Sequence, residues 1–94
     1  MMLTGSEKQV KWANDIISSA LEMCDANIKL AEERIEKWPN VSVYKQNLDV
    51  FTEIKATLED AFSKATTAKE IIDKREYYSG DRILYVADKM LNGR

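Results

Sequence analysis

Apolar residues in the first part of the chain return every three or four positions: Val10, Ala13, Ile17, Ala20, Cys24, Ile28, Ala31, Ile35 and Trp38. That is the period of an α-helix. A second apolar line, Trp12, Ile16, Met23 and Leu30, runs beside the first and widens the face. Ser6 followed by Gln9 predicts a capping box at the helix start. The Ser hydroxyl accepts from the Gln9 N–H, and the Gln side chain reaches back to the Ser6 N–H. Pro39 predicts the end, because the residue before a proline is pushed out of helical angles. At about 1.5 Å per residue, an unbroken helix over residues 6–38 would be about 50 Å long. Ser18-Ser19 and Asn27 are its weak points.

Helical spacing resumes after Ser42, with Tyr44, Leu48, Phe51, Ile54, Leu58, Ala61, Phe62 and Ala65. The short connection between two long helices predicts an antiparallel hairpin. Thr66-Thr67 interrupts the pattern. Thr67 with Glu70 predicts a second capping box, opening a short helix with Ile71 and Ile72 inward. Tyr77-Tyr78-Ser79-Gly80-Asp81 predicts a turn. A last helix follows with Ile83, Leu84, Ala87, Met90 and Leu91 on one face, closed by Gly93 in the left-handed position after Asn92. The expected fold is all-α: a long antiparallel helical hairpin with two shorter C-terminal helices packed on it, residues 1–94 forming a single helical domain.

One proline and three glycines in 94 residues agree with long helices. The charge is 14 basic against 16 acidic, net −2, with the signs interleaved. Nucleic-acid binding draws affinity from clustered cations, and a mimic of DNA needs a dense acidic face. The chain has neither, so nucleic acid is not expected as a direct ligand. Cys24 is a lone cysteine, which excludes an intrachain disulfide and fits a reducing cytoplasm. Histidine is absent, which removes the commonest general base and metal ligand. Neither a signal-peptide pattern nor an apolar stretch of about 20 residues is present, so no membrane association is expected. The chain is therefore read as a non-enzyme, with no catalytic residues, metal site or cofactor.

A few side chains stand out as contact residues. Trp12 reads either as an exposed anchor for a partner or as a ring packing the N-terminal turn onto the C-terminal helices, and packing is the expectation. Lys8 and Lys11 beside it could add a nucleic-acid contact, but Glu7 and Asp15 intervene, which makes them solvated helix surface. Asp73 and Arg75 are expected to pair with neighbouring charges or to tie the short helix to the hairpin. Of Tyr77 and Tyr78, one ring should cap the core and the other stand free as a contact residue. Glu32, Glu33 and Glu36 read as a solvated face, and Cys24 as a buried thiol on the apolar stripe.

Thr4-Gly5-Ser6, Lys8-Gln9, Trp12-Ala13 and Ile16 follow the spacing TGS-x-KQ-x-x-WA-x-x-I. In this the chain resembles small helical proteins encoded by bacterial phages, plasmids and integrative elements. Many of those close with two aromatics followed by I-D-x-R. Ile72-Asp73-Lys74-Arg75 matches the latter part, while Glu70-Ile71 stands where the aromatics would be. The resemblance implies counter-defence work in the cytoplasm of a bacterial host, such as anti-CRISPR-like inhibition of an RNA-guided nuclease, or service to the element's own replication.

The expected function is thus non-catalytic protein–protein interaction, with a host defence protein as partner and Trp12, Lys8, Lys11, Tyr77, Tyr78, Asp73 and Arg75 as candidate contacts. The alternatives are a nucleic-acid-associated accessory protein and a structural or assembly oligomer. The C-terminal helices are too short to cover both long helices, which predicts a homodimer along the hairpin.

Overall fold

Ser6 starts the first helix as its chemistry predicts. Its Oγ accepts from the Gln9 N–H at 3.2 Å, and Gln9 Oε1 accepts from the Ser6 N–H at 3.1 Å. The pair satisfies two backbone donors at the helix N-terminus. The computed structural model describes residues 3–93. The helix so opened, α1 (Glu7–Lys37), is continuous. Ser18 and Ser19 face solvent, and Asn27 Nδ2 donates to the Met23 carbonyl at 2.8 Å. Trp38 leaves helical angles at φ −134°, ψ 70°, as expected before Pro39.

Past Pro39-Asn40, α2 (Ser42–Lys64) returns along α1, with Lys55 on α2 reaching Asp25 on α1 at 2.6 Å. Then come α3 (Ala68–Asp73), a 3-10 turn (Arg75–Tyr78) and α4 (Gly80–Asn92). The architecture is the expected all-α hairpin with shorter helices packed on it. Among the described residues no helix is long and apolar enough to cross a membrane.

The sequence reading differs from the structure mainly in the C-terminal third. The region expected as an open turn is the 3-10 turn, and Gly80 and Asp81 already belong to α4, capped by the Ser79 side chain accepting from the Arg82 N–H at 3.2 Å. Gly93 sits at φ −85°, ψ −1°, an ordinary right-handed conformation, so its N–H reaches the Lys89 carbonyl at 3.1 Å with no left-handed step. Thr67 caps α3 by accepting from the Glu70 N–H at 3.2 Å, but the box is only half formed. The Glu70 carboxylate accepts instead from the Thr66 hydroxyl at 3.2 Å. Leu84, placed inward by its apolar character, is 44% exposed, whereas Ile83 beside it is buried.

All of the buried residues but Ala31 belong to one core cluster. On α1 the buried positions are small: Ala13, Ala20, Cys24 and Ala31. The large side chains come from across the interface, with Phe51, Ile54, Leu58 and Phe62 from α2 and Ile71, Ile72 and Ile83 from the C-terminal elements. Val50, outside the expected stripe, is fully buried. It lies one turn before Ile54 and two before Leu58, and so extends their row toward the start of α2.

The N-terminus is clipped to the start of α3. Thr4 N–H donates to the Thr66 carbonyl at 3.0 Å, and Ala68 N–H donates to the Thr4 carbonyl at 2.8 Å. Thr4 Oγ1 adds a third bond to Thr66 at 3.1 Å. Between this clip and the Ser6 cap the chain turns at Gly5, whose φ of +147° belongs to a region that is essentially glycine-only. The clip also buries Leu3 in the core.

The molecule is elongated, 50 × 24 × 19 Å with a radius of gyration of 15.0 Å, against about 13 Å for a compact domain of this size. The six residues of α3 and thirteen of α4 cannot cover the 31 of α1. The hairpin tip is accordingly only two helices thick, and Leu30, Trp38, Val41 and Val43 are exposed there. Tyr44 is half-buried between the tip helices, with Arg34 over its ring at 5.6 Å and Trp38 at 6.1 Å.

Two tests follow from the N-terminal geometry. Ser6→Ala should cost about 0.5–2 kcal/mol, the usual loss of an N-cap. Gly5→Ala should cost about 1–3 kcal/mol, because a Cβ there would meet Gln9 Oε1 at 3.1 Å and Ala68 Cβ at 3.3 Å. Urea midpoints measure both, and an unchanged midpoint for either would remove the clip-and-cap account.

The Cys24 thiol makes stability depend on pH. Burial, and secondarily the Asp25 carboxylate, push its pKa above the ordinary 9.0. The unfolded chain therefore releases this proton first, so the contribution is intact below pH 9 and is lost as pH rises beyond it. Urea unfolding between pH 7 and 10 should show a fall in stability that is shallower in Cys24→Ala.

Candidate functional site

A 3-10 helix repeats every three residues, so side chains at i and i+3 eclipse. In the 3-10 turn this puts Arg75 and Tyr78 on one side and Tyr77 on another. The Arg75–Tyr78 side faces α1. There Arg75 Nη1 donates to the Ile72 carbonyl at 2.9 Å, and the guanidinium carbon lies 5.4 Å from the centre of the Trp12 ring. Tyr78 turns inward, edge-on to Phe62 with centroids 4.8 Å apart. Burial, and then the Glu70 carboxylate, hold its phenol above the usual range, so it is neutral at any ordinary pH.

Trp12, Arg75, Asp15, Ser19 and Ser79 thus surround a shallow cleft of about 300 Å³ between α1 and the turn. Trp12 does rest against a C-terminal element, as the packing expectation had it, yet 48% of it remains exposed. It is a surface ring held under a cation, which favours the contact by about 0.5–1 kcal/mol at an exposed site. Arg75 ties the turn to α1, and Asp73 pairs with Lys69 one turn earlier at 2.9 Å, both as expected. That hydrogen bond raises the Lys69 pKa further above 10.5. Lys8 and Lys11 share the exposed outer surface of α1 with Glu7, Asn14 and Asp15, and do not join the cleft.

Tyr77, on the other side of the turn, is 61% exposed and stands at the end of a groove between α2 and α4. The groove, about 320 Å³, is floored by Ile54, Leu58, Ile83, Val86 and Met90 and has Glu53 and Thr57 on its α2 wall. On the α4 edge, Arg82 sits 5.5 Å from the Tyr77 ring and 5.3 Å from the Tyr85 ring, and Lys89 sits 5.5 Å from Tyr85. The sequence pattern did not single out Arg82, Tyr85 and Lys89. Their spacing was a usable signal, since Tyr85 lies three after Arg82 and four before Lys89, where helical neighbours meet. The closure onto Tyr77 depends on the turn and has no local signature.

Among the described residues no group of three or more His, Cys, Asp or Glu stands where it could hold a metal ion. The region presents aromatic rings, guanidiniums and an apolar groove. No family model, curated protein or solved structure matches the chain.

The two tyrosines should separate cleanly. Tyr77→Ala should change stability by no more than about 0.5 kcal/mol, as for an ordinary surface position. Tyr78→Ala should cost about 2–4 kcal/mol by leaving a void beside Phe62. Chemical denaturation of both variants checks this; equal effects would mean that Tyr78 is not a core ring.

Proposed function

We propose that the protein is a non-catalytic interaction module that binds another protein through the surfaces on either side of the 3-10 turn. The observation that carries this reading is the clustering of exposed Trp12, Tyr77 and Tyr85 with Arg75 and Arg82. Trp, Tyr and Arg are the residues most enriched at binding hot spots. Here each exposed ring lies under a guanidinium, so less side-chain freedom is lost on binding.

The resemblance of the N-terminal segment to mobile-element proteins makes the partner a host defence protein, such as an RNA-guided nuclease, inhibited by occupation of its surface in the bacterial cytoplasm. Inhibition by imitation of nucleic acid fits poorly with net −2 and interleaved signs. A second reading, self-association, is favoured by one observation: Leu30, Trp38, Val41 and Val43 are each exposed toward the two-helix tip. An exposed apolar surface that is contiguous usually marks an interface. Light scattering coupled to size exclusion tests it, with a dimer mass expected at tens of micromolar and a monomer overturning it.

The principal test begins with a tagged pull-down from a host lysate, followed by titration of the purified partner across a salt series. Affinity should vary weakly with salt. Trp12→Ala or Tyr77→Ala should weaken binding by about 2 kcal/mol or more, the range of a hot spot. A steep salt slope together with indifference to both aromatics would overturn the reading in favour of an electrostatic partner.

A further inference from the structure

We propose that the groove between α2 and α4 receives an acidic, amphipathic segment of a protein partner, with apolar side chains entering the groove and carboxylates meeting Arg82 and Lys89. This rests on the interaction-module reading and names the chemistry of what is bound.

The floor and the cationic edge are parts of one surface. Val86 lies on the groove floor, four residues after Arg82 and three before Lys89, so both cations flank it on the same side of α4. A segment laid along the floor therefore passes both of them. Asp81 and Asp88 are each one residue back from these cations, about 100° round the helix and away from the groove. The α4 edge consequently presents only positive charge to an occupant. Glu53 stands across the groove on the α2 wall. With Arg82 and Lys89 on α4, the acidic side of the partner must lie against that helix.

Arg82 is prepared for this role. Tyr77 and Tyr85 both lie beside its guanidinium, at 5.5 and 5.3 Å, and limit its motion. Its planar group retains edge N–H donors in the fork geometry that fits a carboxylate. The ion pairs among the described residues use Lys55, Lys64 and Lys69, not Arg82 or Lys89.

A single-stranded nucleic acid is the competing occupant, since it too is drawn to tyrosine and arginine. Three observations count against it. The tyrosine rings that would stack on bases already carry Arg82 and Lys89. The floor is aliphatic. Two cations on a chain of net −2 make a weak phosphate track.

The test uses two synthetic helix-forming peptides with leucines at i, i+3 and i+7, one carrying glutamates along one flank and the other lysines at the same positions. Each is titrated into the 94-residue chain, followed by backbone amide NMR, as is a twelve-nucleotide oligothymidylate. The glutamate peptide should shift Tyr77, Val86 and Met90 and bind at least tenfold more tightly than the lysine peptide. Arg82→Glu with Lys89→Glu changes exposed residues and should invert that preference, with circular dichroism confirming the fold. Equal affinities, no shifts at the groove, or tighter oligothymidylate binding at the same residues would overturn the inference. Shifts confined to the Trp12–Arg75 cleft would overturn it while leaving the interaction-module reading intact. The absence of any stoichiometric partner from the lysate bears on that broader reading alone.

Discussion

The seam of small side chains along α1 is the constraint on which the rest of the structure depends. Ala13, Ala20, Cys24 and Ala31 are all buried, and none fills much space. Helix axes pack at about 8–10 Å depending on the side chains at the contact, and small residues on one helix leave room for large ones from its neighbours. The core is therefore asymmetric, with phenylalanines and isoleucines from α2, α3 and α4 converging on a slender α1. This arrangement lets one long helix serve as a backing for three other elements in a chain of 94 residues. A chain of this size buries about 60–70% of its unfolded surface, less than a larger domain does, so loss of the seam would leave little to hold the C-terminal elements.

The Thr4–Ile16 segment is, in this molecule, largely architectural. Thr4 clips the chain to α3, Gly5 makes the turn that the clip requires, and Ser6 and Gln9 cap α1 reciprocally. Trp12 then meets Arg75, at the end of the Ile72–Arg75 stretch, so two segments far apart in sequence form one contact. That contact lies where the 3-10 turn meets α1. The turn in turn directs Tyr78 into the core and Tyr77 toward the groove. Residues with structural duties thereby set the orientation of the exposed aromatics.

The ion pairs matter less. Lys64–Asp60 and Lys69–Asp73 are exposed neighbours on one helix, a type that contributes only a few tenths of a kcal/mol. Lys55–Asp25 bridges the hairpin and raises the Lys55 pKa through its hydrogen bond, but both groups remain wet. Stability comes from apolar burial, the caps and the N-terminal clip. The cation–ring contacts around Arg75 and Arg82 are individually weak, and their main consequence is to keep long side chains in place at the surface.

Much of the fold was legible in the sequence because it is written in local interactions. The Ser6/Gln9 box, the break at Pro39 and the three-and-four spacing on α1 and α2 involve residues within a turn or two of one another, and each element formed where its pattern lies. The burial of Cys24 and the division of labour between Tyr78 and Tyr77 could also be anticipated, since an apolar stripe must face something and two adjacent rings cannot both do so. What the tertiary structure alone decided is where separate elements meet. The Thr4–Ala68 clip, the Trp12–Arg75 contact and the approach of Arg82 to Tyr77 all depend on how α3, the 3-10 turn and α4 fold back. Periodicity reports which face of a helix is apolar. It carries no information on which neighbour covers that face, because the hydrophobic effect is non-directional, and that choice is made by packing across the whole chain.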